Sequence, residues 1–335
     1  MARKHKKHNT HSRSKKGDES KKKILLVVSY IFLGLIIFWL AVGFYLFFKV
    51  PASIYIYPEN PKQGDTVFIR VESKADSVWG NFDSENIIFY KKGFLNEWIA
   101  FLGVDAVHES GDYEISVETS SGEKLAKQIK VYPADFSLEA AIAAPSANQT
   151  GITQNNAISN IRKNDNPALN KILDNYTDQP YFSLPFSSPL SSMEVGGFSF
   201  GRFINFSGNR IQHLGVDLRA PEGTNVYSVN DGKVAATLDL SNYGKTIIID
   251  HGLDIFSLYL HLSEFKVSEG ERIKRGQLIG LSGDTGYVTA PHLHFSMRVG
   301  GSRIDPVEFI DSSKKMNKNF LMADISNAIL NIFKK

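Results

Sequence analysis

The sequence contains no cysteine, and this absence narrows the chemistry that the chain can perform. No disulfide framework, thiolate zinc cluster or cysteine nucleophile can form. Hydrophobic residues make up 42% and charged residues 22% of the 335 residues, so the chain can bury apolar cores and is not disordered throughout. At roughly 150 residues per domain, this length predicts about two folded domains.

Most of the chain also lacks an excess of positive charge. The net charge of +3 hides a basic tail, because residues 1–23 carry ten Lys or Arg against two acidic residues. The remaining residues carry 28 basic and 33 acidic side chains. A nucleic-acid-binding protein would spread positive charge over a folded face, so we predict no nucleic acid partner.

The basic tail is followed by 25 residues without a charged side chain, ILLVVSYIFLGLIIFWLAVGFYLFF at 24–48. A helix of this length measures ~37 Å and exceeds the ~30 Å hydrocarbon core of a bilayer. We therefore predict one transmembrane helix, 24–48, through which the protein contacts the lipid bilayer of the cell membrane. The positive-inside rule predicts a cytoplasmic tail, 1–23, and a chain that lies outside the cytoplasm after Lys49.

A cleaved signal peptide is the alternative interpretation of this apolar run. The apolar region of a signal peptide usually has ~7–15 residues and ends in small residues at a cleavage site. The run at 24–48 is longer, and Lys49-Val50-Pro51 does not resemble such a site. The sequence therefore favours an uncleaved anchor.

The rest of the chain predicts a mainly β protein. Residues 52–133 contain short alternating runs, such as SIYIYP and YEISVET, separated by turns about every ten residues, which is typical of a small Ig-like β-sandwich. Residues 134–185 begin with a stretch rich in Ala, Asn, Thr and Ser, and we interpret them as a linker with short helices. Residues 313–335 carry apolar side chains at helical spacing and predict a C-terminal amphipathic helix.

Five of the nine histidines fall between residues 198 and 309, and three of them form two patterns: His213 lies four residues before Asp217, and His292 lies two residues before His294. His292 and His294 are two residues apart, so in an extended strand they share one face at ~6.6 Å. His213 and Asp217 would lie ~13 Å apart in a straight strand, but Gly215 between them would permit a bend that brings them together. Two imidazoles and one carboxylate, with a position left for water, are the ligand set of a catalytic zinc.

The His-x-x-x-Asp spacing alone is weak evidence for a metal site. The same spacing occurs at His108 and Asp112 in the first β-rich block, without a second histidine pair, and we interpret that copy as an ordinary turn. A single histidine is more often a hydrogen-bonded or surface residue than a ligand. The helical zinc-protease signature H-E-x-x-H is absent, so a protease in this chain must use another scaffold.

Four motifs in order resemble the landmarks of the M23 (lysostaphin/LytM-type) zinc metallopeptidases. They are His213-x-x-x-Asp217, the strand Leu258-Tyr259-Leu260-His261-Leu262, the turn Gly280-x-Ser282-Gly283-x-Thr285-Gly286, and Pro291-His292-Leu293-His294-Phe295. The resemblance covers roughly residues 186–312 and implies an antiparallel β-sheet peptidase domain there. The sandwich and linker upstream also resemble the N-terminal module of some family members.

The resemblance implies a site and a reaction. His213, Asp217 and His294 would bind one Zn²⁺ per chain, and His261 and His292 would be the catalytic histidines. The substrate would be peptidoglycan, whose stem-peptide or cross-link amides would be hydrolysed by a metal-activated water during cell-wall remodelling.

Three further positions bear on this resemblance. Ala290 stands where a glycine is common in the family, and Ser296 stands where a glutamate is common, so both bear on substrate preference more than on activity. His251 matches a frequent position without a ligand role, and we predict that it is structural.

Two other functions stay open at the level of the sequence. The first is a non-catalytic LytM-like regulator that binds and activates a separate wall hydrolase, although such regulators have usually lost metal ligands. The second is an anchored scaffold with a structural zinc, which would normally need four protein ligands. A latent enzyme is a further hypothesis, in which the linker or Asn209 occupies the open metal position.

Overall fold

The computed structural model describes residues 12–49, 52–92, 96–136, 154–206 and 209–316. The chain divides into two compact units, Met1–Pro51 and Ala52–Lys335. The first unit contains one helix, α1 (Ser12–Lys49). Its segment Lys23–Val42 has a mean hydropathy of 2.7 and no buried residues, so it is long and apolar enough to cross a membrane.

The second unit begins with eight strands in two four-stranded antiparallel sheets that enclose one apolar core. The strands are β1 (Ser53–Tyr57), β2 (Thr66–Glu72), β3 (Val78–Phe82), β4 (Glu85–Ile87), β5 (Tyr90–Lys91), β6 (Glu97–Gly103), β7 (Gly111–Thr119) and β8 (Lys124–Val131). The order is β1-β2-β6-β5 in one sheet and β4-β3-β7-β8 in the other. Alternating apolar residues of both sheets, such as Ile69 and Ile115, fill the space between them, and the predicted sandwich architecture follows from this alternation.

Three short helical elements follow, at residues where the sequence predicts a linker with short helices. They are α2 (Gln154–Asn160), one π-helical turn (Ile161–Asp165) and α3 (Asn166–Leu173). Leu169 of α3 is buried in an apolar cluster with Ile248, Phe256 and Leu258 of the large sheet described next. This segment therefore packs on the sheet that carries the predicted site.

The remaining strands form a two-stranded sheet and a nine-stranded antiparallel sheet. The strands are β9 (Phe203–Phe206), β10 (Asn209–Gln212), β11 (Val216–Leu218), β12 (Asn225–Tyr227), β13 (Gly232–Leu240), β14 (Gly244–Asp250), β15 (Ile255–Phe265), β16 (Arg272–Ile273), β17 (Leu278–Ser282), β18 (Leu293–Val299) and β19 (Ser302–Ile304). The central order is β11-β18-β15-β14-β13-β16, with β17 joining β12 to β15 and β19 pairing with β18. A helix, α4, spans 306–316, and most of the helix predicted at 313–335 lies outside the described residues.

The large sheet has two covered faces because its strands alternate between two apolar sets. Tyr259 and Phe295 point to an inner core, whereas Leu258 and Leu260 belong to the outer cluster with Leu169. Leu260 pairs across the strands with His294, so the outer face is also the face that carries His294.

The sandwich is joined to the large sheet by apolar packing and by an ion pair. Phe68 and Phe101 of the sandwich belong to the same buried cluster as Phe295 of the large sheet. Asp105 accepts hydrogen bonds from Arg303 at Nε (2.9 Å), at Nη2 (2.8 Å) and at the backbone N–H (2.8 Å). Burial alone would raise the pKa of Asp105, but these hydrogen bonds lower it below its usual value.

Candidate metal centre

Three donor atoms from distant parts of the sequence converge on one point of the outer face. His213 Nε2 lies 3.1 Å from Asp217 Oδ1 and 3.0 Å from His294 Nδ1, and His294 Nδ1 lies 3.0 Å from Asp217 Oδ1. The four-coordinate zinc sites of proteins have Zn–N and Zn–O bonds of ~2.0–2.2 Å, which places neighbouring ligand atoms roughly 3.3 Å apart. The triangle of donors therefore has the dimensions of one face of a tetrahedral site.

Strand pairing explains how these residues meet. Asp217 of β11 lies directly opposite His294 of β18, and His294 lies opposite Leu260 of β15, next to His261. His213 follows β10 and reaches the same place because the chain turns between His213 and Asp217. An ideal Cβ on Gly215 would lie 2.5 Å from His294 Nε2, so only glycine lets the backbone pass this close to the ring.

The hydrogen bonds around the cluster fix which atoms carry lone pairs. His213 Nδ1 donates to the Ser199 carbonyl (3.2 Å), so Nε2 of the neutral ring has no proton. The Asp217 Oδ2 atom accepts from the Phe198 N–H (3.3 Å), which leaves Oδ1 facing the two histidines. His294 Nε2 lies 3.0 Å from Ser296 Oγ, which can accept its proton and leave the lone pair on Nδ1. Acceptors that face one another at 3.0–3.1 Å need a cation between them, and this donor set fits Zn²⁺.

The ionisation states agree with a cation site. Burial alone would raise the pKa of Asp217, but the electrostatic influence of His213 and then His294, whose ring nitrogens lie 3.0–3.1 Å from its Oδ1, lowers it well below its usual value. Burial lowers the pKa of His294 to about 4. The site therefore holds a carboxylate and a neutral imidazole at neutral pH, which are the forms that bind metal.

His261 occupies an unusual backbone conformation beside this cluster. Its φ of 61° lies in the left-handed region, which few residues other than glycine adopt. The register of β15 against β14 shifts here, because Leu260 and His261 together stand opposite the single residue Thr246. In this β-bulge the alternation breaks, so Leu260 faces outward, His261 reaches His294 with a ring-centroid distance of 6.0 Å, and Leu262 returns to the inner core.

The rings of His261 and His292 lie side by side, with centroids 4.9 Å apart. His261 Nδ1 donates to the Thr285 carbonyl (2.9 Å), and His292 Nδ1 donates to the Ala290 carbonyl (2.9 Å). In both rings a proton can therefore be taken or given only at Nε2. Burial, and then the neighbouring histidines, lower the pKa of His261 to about 3, so this ring is neutral. His292 Nε2 lies 3.5 Å from Asp217 Oδ1, beside the donor triangle.

Two other histidines lie in different surroundings. His251 is buried, with Nδ1 donating to the Asp231 carbonyl (2.8 Å) and Nε2 2.8 Å from Ser257 Oγ, as expected of a structural residue. His108 lies against the rings of Phe82 and Tyr113, at centroid distances of 5.3 and 4.8 Å. The side chain of Asn209, which the latency hypothesis invoked, lies outside the described residues.

Sequence reasoning missed the residues that orient these rings. The carbonyl groups of Ser199, Thr285 and Ala290 hold three of the histidines, and a backbone acceptor has no side-chain signature. The contact of Ser296 with His294 was foreseeable, because residues two apart in a strand share one face.

The comparisons with known proteins agree with this geometry. The sequence profile described as Peptidase family M23 matches residues 211–306. The peptidoglycan DD-endopeptidase ShyA of Vibrio cholerae is 43% identical over 96 residues, which are 29% of this chain and 22% of ShyA. The glycyl-glycine endopeptidase ALE-1 of Staphylococcus capitis is 36% identical over 125 residues, which are 35% of this chain and 34% of ALE-1. The chain thus spans between about a fifth and a third of the length of these two relatives.

A solved structure resembles most of the chain. A crystal structure from Pseudomonas aeruginosa, whose name assigns it to peptidase M23, aligns with 75% of this chain and 94% of its own, at a TM-score of 0.56 and 21% identity. At this identity the likeness shows the fold alone. The matched segment 211–306 contains the donor triangle and both neighbouring histidines, and the chain therefore carries a domain of peptidase family M23.

Proposed function

We propose that this protein is a membrane-anchored zinc metalloendopeptidase that hydrolyses amide bonds of peptidoglycan stem peptides or cross-links during cell-wall remodelling. The observation that carries the proposal is the triangle of unprotonated donors at 3.0–3.1 Å, with the neutral ring of His261 beside it. The names of ShyA, a peptidoglycan DD-endopeptidase, and of ALE-1, a glycyl-glycine endopeptidase, support this substrate class.

In this proposal His213, Asp217 and His294 hold the metal. A zinc ion with two neutral imidazoles and one carboxylate retains positive charge and would supply the Lewis acidity that activates water and polarises the scissile carbonyl. Asp217 contributes its Oδ1 while the Phe198 N–H holds Oδ2, and Ser296 keeps the His294 ring in the orientation that aims Nδ1 at the centre.

His261 and His292 act as the proton-transfer groups. Each has its Nδ1 proton committed to a carbonyl, so each accepts or donates a proton through Nε2. A neutral imidazole can take the proton of the attacking water and return it to the leaving amine. A proton taken up from solvent at Nε2 would let the second ring donate a hydrogen bond to the oxyanion that develops on the scissile carbonyl.

The chain organisation suits an insoluble substrate outside the cytoplasm. We infer that the span at 24–48 anchors the protein, with the tail 1–23 in the cytoplasm and the peptidase domain, 186–312, on the periplasmic or wall side. We assign 52–133 to the sandwich module and 134–185 to the connecting segment, whose helix α3 packs on the peptidase sheet. A purely regulatory LytM-like role is not favoured, because the metal-binding donor set is intact.

The experiment that tests this function separates metal binding from proton transfer. We expect full-length protein in detergent to contain one zinc and to cleave muropeptides. Asp217→Ala should lose both the zinc and the activity, because it removes a donor. His261→Ala should keep its zinc but lose ~10²–10⁴ in rate, because it removes a proton-transfer group.

The matched control is His108→Ala, which removes a histidine from the other His-x-x-x-Asp copy and should change neither quantity. Metal content is measured by elemental analysis and cleavage by mass spectrometry of the products. Full zinc and activity in Asp217→Ala would contradict the assigned site. Loss of zinc in His261→Ala alone would reverse the two roles.

A further inference from the structure

A buried carboxylate outside the matched family segment is aimed at the turn that holds His261. Asp165 closes the π-helical turn before α3 and is 2% exposed. It occupies the N-cap position of α3, where an aspartate normally accepts hydrogen bonds from its own helix, yet it makes no such bond. Its Oδ2 instead accepts two hydrogen bonds from Asn242, one from the backbone N–H and one from Nδ2, both at 2.9 Å.

Asn242 lies in the turn between β13 and β14, and this turn holds His261 by its backbone. The carbonyl of Tyr243, the next residue, accepts the His261 N–H at 3.1 Å. The hydroxyl of Tyr243 donates to Asn166 Oδ1 at 2.8 Å, so two successive residues of the helical segment are bonded to two successive residues of the turn. The position of the turn therefore depends on the helical segment.

The same turn also holds the loop that orients the His261 ring. The Asn242 carbonyl accepts the Tyr287 N–H at 2.8 Å, and Gly286 passes so close that a Cβ there would clash with the Asn242 carbonyl oxygen. One residue earlier in this loop, the Thr285 carbonyl accepts the His261 Nδ1 proton. His261 is thus held by two hydrogen bonds, one at its backbone and one at its ring. The acceptors of these bonds lie in the turn that contains Asn242 and in the loop that is bonded to Asn242, and Asn242 itself is bonded to Asp165.

We propose that Asp165 is a positioning residue for the proton-transfer histidine His261. The carboxylate holds Asn242, and through Asn242 it fixes both the β13–β14 turn and the loop 284–287 against the left-handed residue at 261. A histidine in a left-handed conformation keeps it only where its surroundings enforce it, and the two anchoring bonds supply that enforcement. The role in hydrolysis rests on the proposed peptidase function, whereas the coupling of Asp165 to His261 does not.

The test compares two substitutions of Asp165 in the full-length protein in detergent. Both Asn242 donors bond to a single oxygen of Asp165, so the amide oxygen of Asp165→Asn can accept both, and this variant should retain most of the activity. Asp165→Ala removes the acceptor. We expect it to lower kcat for soluble muropeptides by ~10–100-fold, with KM and bound zinc close to wild type, which is the usual effect of losing a group that orients a catalytic side chain.

A second readout does not depend on activity. In hydrogen–deuterium exchange, Asp165→Ala should increase the exchange of the His261 and Tyr287 amides, whose acceptors belong to the turn, and Asp165→Asn should not. The matched control is Thr177→Val, which removes a contact between the same connecting segment and the far end of β14, where Thr177 Oγ1 donates to Asp250 Oδ2 at 2.7 Å. It should change neither kcat nor the exchange of these two amides.

The outcomes separate this inference from the proposed function. Unchanged exchange at His261 and Tyr287 in Asp165→Ala would overturn the inference, whatever the activity. Increased exchange with an unchanged kcat would refute the positioning role, and an equal loss of kcat in Thr177→Val would reduce Asp165 to a general packing role. A wild-type protein that binds zinc but cleaves no muropeptide would refute the peptidase function, while the exchange data would still decide whether Asp165 holds His261.

Discussion

Gly215→Ala is a one-methyl change that we expect to displace His294, a proposed metal ligand. An ideal Cβ at this position lies 2.5 Å from His294 Nε2 and 2.6 Å from Ser296 Oγ, whereas ordinary contacts of a Cβ begin at 3.4 Å. Gly215 is not among the residues with positive φ, so the effect is steric and not a consequence of backbone strain. Both neighbours belong to β18, which is paired on both sides, so the strand cannot retreat and the imidazole must rotate.

The size of this displacement sets the expected effect. Relief of the contact requires the ring to move by roughly 1 Å, which breaks the 3.0 Å contact between His294 and Ser296 and moves Nδ1 away from the donor triangle. Loss of such an orienting contact typically lowers metal affinity by ~10–100-fold. At ~1.4 kcal/mol per factor of ten, this corresponds to roughly 1.4–2.8 kcal/mol of binding free energy.

The assay is a competition titration of zinc against a chelator of known affinity, followed by muropeptide cleavage at saturating zinc. The matched control is Gly111→Ala in β7, where a Cβ would lie at an ordinary 3.6 Å from Tyr113 and where φ is also not positive. This variant should bind zinc like the wild type. Wild-type zinc affinity in Gly215→Ala would refute the reasoning, because the ring would then have room that the structure does not provide.

Two further predictions concern stability. Burial, and then neighbouring acidic groups, raise the pKa of Asp254 to about 7, so the folded protein loses stability as the pH rises from about 4 through 7. Asp254→Asn should therefore raise Tm more at pH 8 than at pH 5, and an equal change at both pH values would contradict this. Asp105→Ala should lower the free energy of unfolding by about 1–3 kcal/mol in a denaturation assay, because it leaves the partly buried Arg303 without its carboxylate. The control Glu194→Ala breaks the exposed pair with Arg219 (2.9 Å) and should change the free energy of unfolding by less than ~0.5 kcal/mol.

Some features of the site follow directly from the sequence. The two-residue spacing of His292 and His294 predicts a shared face. In the structure the centroids of these two rings lie 4.9 and 6.0 Å, respectively, from that of the His261 ring. Gly215 was predicted to permit a bend, and in the structure the donor atoms of His213 and Asp217 are 3.1 Å apart. These features can be predicted because they depend only on the spacing of residues within one strand and on one glycine between two ligand candidates.

Other features could not be predicted because they depend on distant pairing. The left-handed conformation of His261 arises from a register shift against β14, and a register shift has no signature in the residues of β15 alone. The bonds of Asp165 to Asn242 span 77 residues and begin in a segment whose composition indicates a linker. Helical propensity predicts short helices in this segment, but it does not predict which apolar surface of the sheet they cover.

The junction between Asp105 and Arg303 bears on how the chain acquires its fold during synthesis. The sandwich is made first, yet its Phe68 and Phe101 pack in a core that includes Val299 and Ile304, and the ion pair joins residues 198 positions apart. The sandwich therefore has an uncovered apolar face until the residues around Val299 and Ile304 have been synthesised. Late pairing of this kind slows folding and leaves an aggregation-prone surface exposed until β18 and β19 have been synthesised.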